Sequence, residues 1–122
     1  MNNILQKIVD NKRREVEALN ARGGNITNEL TPRLFLNAPA SMSKAIKEST
    51  NGIIAEFKRR SPSKGEIHPL ALVSDIVPEY EAAGAAACSV LTDTVFFGGA
   101  LSDLALASET TRLPLLLSLI HI

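Results

Sequence analysis

Three short apolar runs begin near residues 52, 85 and 113, separated by stretches with helical periodicity. A spacing of about one βα unit between strand starts constrains the fold more than any other feature of this chain. The runs are Gly52-Ile53-Ile54-Ala55, Ala85-Ala86-Ala87-Cys88-Ser89-Val90-Leu91 and Leu113-Pro114-Leu115-Leu116-Leu117. Strands that are apolar on both faces belong in a parallel sheet covered by helices. The right-handed crossover rule then puts them in sequential order with their helices on one side. A barrel and an open doubly wound sheet share this pattern. No glycine-rich dinucleotide fingerprint follows the first run, which weakens the nucleotide-binding version of the open sheet.

The connecting segments are legible from their periodicity and punctuation. Ile4, Ile8, Val9, Val16 and Leu19 recur at helical spacing and predict an amphipathic helix over 3–19, ended by Gly23-Gly24 and Asn25. Residues 22–40 read as a loop anchored by Leu34, Phe35 and Leu36. Ser41 or Ser43 is placed to cap a short helix ending near Ser49. A further helix is expected over 74–83, with Ser74 as its N-cap and Gly84 as its stop. Pro78 must lie near the first turn of that helix or kink it, because it lacks an amide donor. Residues 101–109 suit another helix, with Leu101, Leu104 and Leu106 as its apolar contacts. This divides the chain into a helical extension over 1–50 and a strand-bearing part over 51–122.

The chemistry concentrates where the first run ends, at Glu56-Phe57-Lys58-Arg59-Arg60-Ser61-Pro62-Ser63-Lys64-Gly65. Glu56 and Lys58 are two apart, so an extended strand points both to the same side. Pro62 and Gly65 then break the strand into a loop. A carboxylate and an ammonium paired at a buried strand's end form the kind of wall an active site uses. A structural ion pair is the plainer alternative. The basic string alone also resembles an import signal, a phosphorylation site or a nucleic-acid arm. Those need exposed, flexible backbone, whereas this string is fused without a linker to Gly-Ile-Ile-Ala.

Formal net charge is zero, which argues against a dedicated nucleic-acid binder. The zero hides an asymmetry: up to Lys64 there are twelve basic and six acidic residues, and beyond it one and seven. A basic first half attracts an anionic substrate. Cys88 is the only cysteine, excludes an intrachain disulfide, and reads as a packed thiol in an apolar run, as a reducing cytoplasm favours. No apolar stretch approaches the ~20 residues of a membrane span. No Cys/His cluster suggests a metal, and His68 and His121 read as incidental.

The run from Ile54 to Gly65 closely resembles the first barrel strand of indole-3-glycerol-phosphate synthases, whose pattern is Ile-Ala-Glu-hydrophobic-Lys-Arg-x-Ser-Pro-Ser-Lys-Gly. Tyr80-Glu81-Ala82-Ala83-Gly84 through Leu91-Thr92-Asp93 resembles that family's helix into its second strand. Phe96-Phe97-Gly98-Gly99 resembles the loop after it, and Ile4 to Val16 resembles the helix placed before the barrel. The resemblance implies an α/β fold, here an incomplete (β/α)8 TIM barrel with an N-terminal helical extension. It implies a cytoplasmic enzyme of tryptophan biosynthesis, a lyase that uses no cofactor and no metal. Its substrate is a small phosphorylated anion, 1-(2-carboxyphenylamino)-1-deoxyribulose 5-phosphate, closed to indole-3-glycerol phosphate with loss of carbon dioxide and water. By resemblance, Lys58 meets the substrate and assists proton transfer, and Glu56 orients it and shares the acid–base work. Ser61 is a substrate contact, and Leu91 with Phe96 or Phe97 forms the apolar wall. Arg59 and Lys64 match the pattern but are expected to be solvated.

The likeness stops at the third strand. Where the family continues Leu-x-Lys-Asp-Phe, with the lysine as principal general acid, this chain has Ser118, Leu119 and Ile120. The expectation is therefore a chain of about three barrel strands that is silent by itself, with a wrong-frame or prematurely ended tail. A non-catalytic remnant or interaction fragment of the same fold is the alternative, and the oligomeric state stays open.

Overall fold

The computed structural model describes residues 3–23 and 40–118. The expected anchors Leu34, Phe35 and Leu36, together with Gly24, Asn25, Leu119, Ile120 and His121, lie outside the described residues. The elements run α1 (Ile4–Ala21), α2 (Met42–Glu48), β1 (Ile54–Phe57), β2 (Arg60–Ser61), β3 (Gly65–Glu66), α3 (Val73–Ala82), β4 (Ala87–Leu91), α4 (Leu101–Thr110) and β5 (Leu115–Ser118). No helix among them is long and apolar enough to cross a membrane.

The three apolar runs form one parallel sheet in the order β1-β4-β5, as the crossover rule requires. Glu56 pairs with Ser89 and Ser89 with Leu116, while Phe57 pairs with Val90 and Val90 with Leu117. This register sorts the side chains onto two faces. One face carries Phe57, Cys88, Val90, Leu115 and Leu117 into the core formed with Val73 and Val77 of α3 and Leu104 and Ala107 of α4. The other face carries Ile54, Glu56, Ser89 and Leu116.

Double burial holds only for the middle strand. Every residue of β4 is buried, but Ile54 is 43% exposed and Leu116 46% exposed. The expectation of strands buried on both faces is thus corrected for β1 and β5. Both helices that follow the strands pack on one face, and Ile54 and Leu116 of the edge strands stay exposed on the other.

Local chemistry accounts for the helix ends. Ser41 caps α2 by accepting the Lys44 amide at 3.3 Å. Asn3 caps α1 through the Gln6 amide at 2.8 Å. Gly84 ends α3 with φ of 93°, its amide donating to the Glu81 carbonyl and the Ala85 amide to the Tyr80 carbonyl, a Schellman stop. Ser74 is not the N-cap: α3 begins one residue earlier, Leu72 occupies that position, and no side chain caps the end. Pro78 lies inside α3, beyond its first turn. The helix continues there without the amide that would reach the Ser74 carbonyl.

The segment after β1 is more ordered than its loop-like composition suggests. β2 and β3 pair antiparallel, Arg60 opposite Glu66 and Ser61 opposite Gly65. The Ser61 hydroxyl closes the turn by accepting the Lys64 amide at 3.2 Å. Short side-chain-organised turns of this kind carry no periodic signal, which is why the hairpin escapes a periodicity reading.

Candidate active site

β1 delivers Glu56 and Lys58 to the open face of the sheet at its C-terminal end, and the spacing of two keeps them on one side. The Lys58 ammonium lies 3.6 Å from Glu56 Oε1, and Ser89 Oγ donates to Glu56 Oε2 at 3.4 Å from the neighbouring strand. Side-chain exposure is 37% for Lys58 and 45% for Glu56. A pair this open contributes only about 0–1 kcal/mol. Lys58 can therefore exchange Glu56 for an incoming anion at little cost. Behind it, the Tyr80 hydroxyl donates to the Glu56 carbonyl at 3.0 Å, fixing the strand to α3.

A cavity of about 510 Å³ opens beside Lys58, between the segment after β1 and the start of α1. Ser61, Phe97, Ile67, Ile4 and Ile8 contribute to its wall. Lys58, Ser61 and Phe97 are thus brought together, and Glu56 joins them through Lys58. Leu91 is buried at the end of β4 on the same face of the sheet, and Phe96 is half-buried; neither lines this cavity. Ser61 is buried, and its hydroxyl serves the turn.

The loop that carries Phe96 and Phe97 is held from several directions. Asp93 is buried and accepts the Phe96 amide at 2.7 Å. The Phe97 carbonyl accepts both the Arg59 and Arg60 amides at 3.3 Å. Gly98 has φ of 69°. A Cβ on Gly99 would sit 1.9 Å from the Leu91 carbonyl oxygen, so the loop's return path admits only glycine. The two glycines of the Phe-Phe-Gly-Gly string are therefore what this loop's backbone geometry calls for.

Two ionic contacts correct or extend the sequence reading. Arg59 is not solvated: it forks onto Asp103 at 2.5 and 2.9 Å and donates to the Ala71 and Gly98 carbonyls. It also lies 5.0 Å above the Phe57 ring. The hydrogen bond to Asp103 holds the guanidinium even more firmly charged than usual, against the opposing effect of burial. Arg59 is two residues from Phe57, so strand alternation placed it on the helix-covered face, a signal its charge obscured. Lys12 of α1 is also buried and forms an ion pair with Asp93 and a second with Glu15 at 2.5 Å. Lys12 falls one helical turn after Ile8, on the apolar face, and that position was its only signal.

Among the described residues no group of three or more His, Cys, Asp or Glu side chains could hold a metal. Cys88 is buried, its thiol pushed up to about 11 first by burial and then by the Glu56 charge.

Parallel strands in sequential order, with helices on one face and a carboxylate–ammonium pair at a strand's C-terminal end on the other, are the arrangement found in part of a (β/α) barrel. The family described as indole-3-glycerol phosphate synthase matches residues 5–118. This chain belongs to that family, a TIM-barrel family. An indole-3-glycerol phosphate synthase of Bacteroides thetaiotaomicron is 46% identical over 116 residues, covering 95% of this chain and 44% of the relative. Those of Bacillus thuringiensis strain Al Hakam and Bacillus cereus strain 03BB102 are each 44% identical over 116 residues, covering 95% of this chain and 42% of the relative. The chain thus spans less than half the length of the curated relatives it matches.

Proposed function

We propose that this chain supplies the first three strands of an indole-3-glycerol-phosphate synthase barrel. In this reading, residues 1–50 are its helical extension and 51–122 its first strands with two helices. The observation that carries it is the Glu56–Lys58 pair on the open face, beside a cavity walled by Phe97. Ring closure needs a proton delivered to the ribulose carbonyl oxygen as the aromatic carbon attacks. It then needs loss of the carboxylate and a base–acid pair for dehydration. Lys58 meets the substrate's negative charge and assists the proton transfers, and Glu56 orients that ammonium and shares the acid–base work. Ser61, Leu91, Phe96 and Phe97 are the substrate contacts, of which Ser61 and Phe97 line the cavity with Lys58. The substrate is a small phosphorylated anion and the compartment the cytoplasm, where a free buried Cys88 is at home. Nucleic acid is a poor partner, because Lys12, Arg59 and Arg60 are engaged within the fold.

Ser118 favours a second reading for the chain alone, that of a non-catalytic fragment. It pairs with Leu91 at the end of β5, on the open face and at the position where resemblance calls for the general-acid lysine. A neutral hydroxyl does not supply a proton as an ammonium does. The test joins the remaining length of the Bacteroides relative after residue 118, with Ser118 kept or replaced by Lys. Indole-glycerol phosphate formation is then followed by fluorescence. The expected result is background for the chain alone and for the serine form, and turnover for Ser118→Lys. Adding Lys58→Ala to the active form is expected to lower kcat about 10²–10³-fold. Undiminished turnover in that variant removes Lys58 from the mechanism.

A further inference from the structure

Arg60 occupies the one unspecified position of the Lys-Arg-x-Ser-Pro-Ser-Lys-Gly pattern, yet both terminal nitrogens of its guanidinium have partners. One terminal nitrogen donates to the Thr94 carbonyl at 2.7 Å and the Val95 carbonyl at 2.8 Å. The other reaches Glu66, its cross-strand neighbour in the β2–β3 hairpin, at 3.5 Å. Its backbone amide donates to the Phe97 carbonyl. A single residue thus grips Thr94, Val95 and Phe97 of the loop after β4 while belonging to the segment that begins at Lys58.

Packing does not hold the tip of that loop. Val95 is 54% exposed and Thr94 is exposed. Within the loop the Thr94 hydroxyl donates to the Gly99 carbonyl at 2.9 Å and the Gly98 amide to the Thr94 carbonyl at 3.1 Å; the charge-assisted bonds from Arg60 are what tie this tip to the segment after β1. The next residues are Phe96 and Phe97, and Phe97 faces the cavity that Lys58 and Ser61 also line. We propose that Arg60, oriented by Glu66, is a positioning residue that fixes the aromatic wall at Phe97 relative to Lys58 and so sets affinity for the substrate's aromatic end. This inference rests on the reading of Lys58 and Phe97 as substrate-facing.

The test has two arms. In the 122-residue chain, amide hydrogen exchange is measured across 93–99 for the parent, Arg60→Met, Arg60→Lys and Glu66→Gln. Arg60→Met is expected to accelerate exchange there about tenfold, with β4 and α4 unchanged. Arg60→Lys, a point charge that cannot fork, and Glu66→Gln are expected to fall between. In the Ser118→Lys fusion to the Bacteroides remainder, Arg60→Met is expected to raise KM about tenfold with kcat within about twofold. Arg60→Lys should partly restore KM. A residue that only stabilises the fold would instead lower kcat in step with the folded fraction and leave KM alone, and that outcome overturns the proposal. Unchanged exchange across 93–99 in all three variants overturns it as well. If the parent fusion is inactive, the functional reading falls, and the exchange arm still decides whether Arg60 holds the loop.

Discussion

Replacing Lys12 by Met should destabilise this chain far more than its position on a charged helix suggests. The Lys12 side chain is 3% exposed and that of its partner Asp93 is 0% exposed. Without the ammonium, a buried carboxylate keeps only the Phe96 amide. Removing one partner of a buried pair costs about 3–5 kcal/mol. The reverse change is milder. Asp93→Asn keeps an oxygen for the Phe96 amide, and Lys12 keeps Glu15 at 2.5 Å, so the cost should be about 1–2 kcal/mol. In the double variant the side chain at position 93 is a neutral amide and leaves no uncompensated charge, so the two costs should fall short of additivity by about 2 kcal/mol. Urea unfolding followed by circular dichroism, with m-values compared among the four proteins, gives the cycle. A loss below about 1 kcal/mol for Lys12→Met, the range of an exposed pair, refutes the reasoning. So does strict additivity.

Three further outcomes follow from single sites. Gly99→Ala places a methyl 1.9 Å from the Leu91 carbonyl oxygen; a loss of about 3 kcal/mol or more is expected, visible as a fall in Tm beyond about 10 °C. The Cys88 thiol, pushed up to about 11, should resist iodoacetamide at pH 8 in the native chain and react on unfolding. Since its unfolded value is lower, stability should also decline as pH rises above about 9. Glu81 accepts the Thr111 hydroxyl and, at 2.8 Å, the Arg112 amide, and these bonds hold its carboxyl below the usual range. Its contribution is present above the ordinary carboxylate pKa and lost as pH falls through the lowered one. The stability gap between the parent and Glu81→Gln should therefore close on acidification, as parallel thermal melts would show.

The β-α-β-α-β order, the parallel pairing and the shared side of Glu56 and Lys58 were all determined by the sequence alone. The parallel pairing, although it joins segments distant in sequence such as Ile54 and Ala87, follows from the chain-crossing rule, and the order and the shared side follow from local periods. The caps at Ser41 and Gly84 are legible for the same reason, since their hydrogen bonds close within a turn. What tertiary structure alone decided is the fate of the charges. Lys12 and Arg59 look like solvated surface in a linear reading, because their partners Asp93 and Asp103 are far away along the chain. Charge dominates the reading of such residues, while helical phase and strand alternation carry the weaker hint that they face inward. Glu56 and Lys58 marked one face of the sheet in sequence, but how far the apolar residues of its two faces are buried was not legible there. Which of them is covered was settled only when α3 and α4 packed against Phe57, Val90 and Leu117 and left Ile54, Glu56 and Leu116 on the open side.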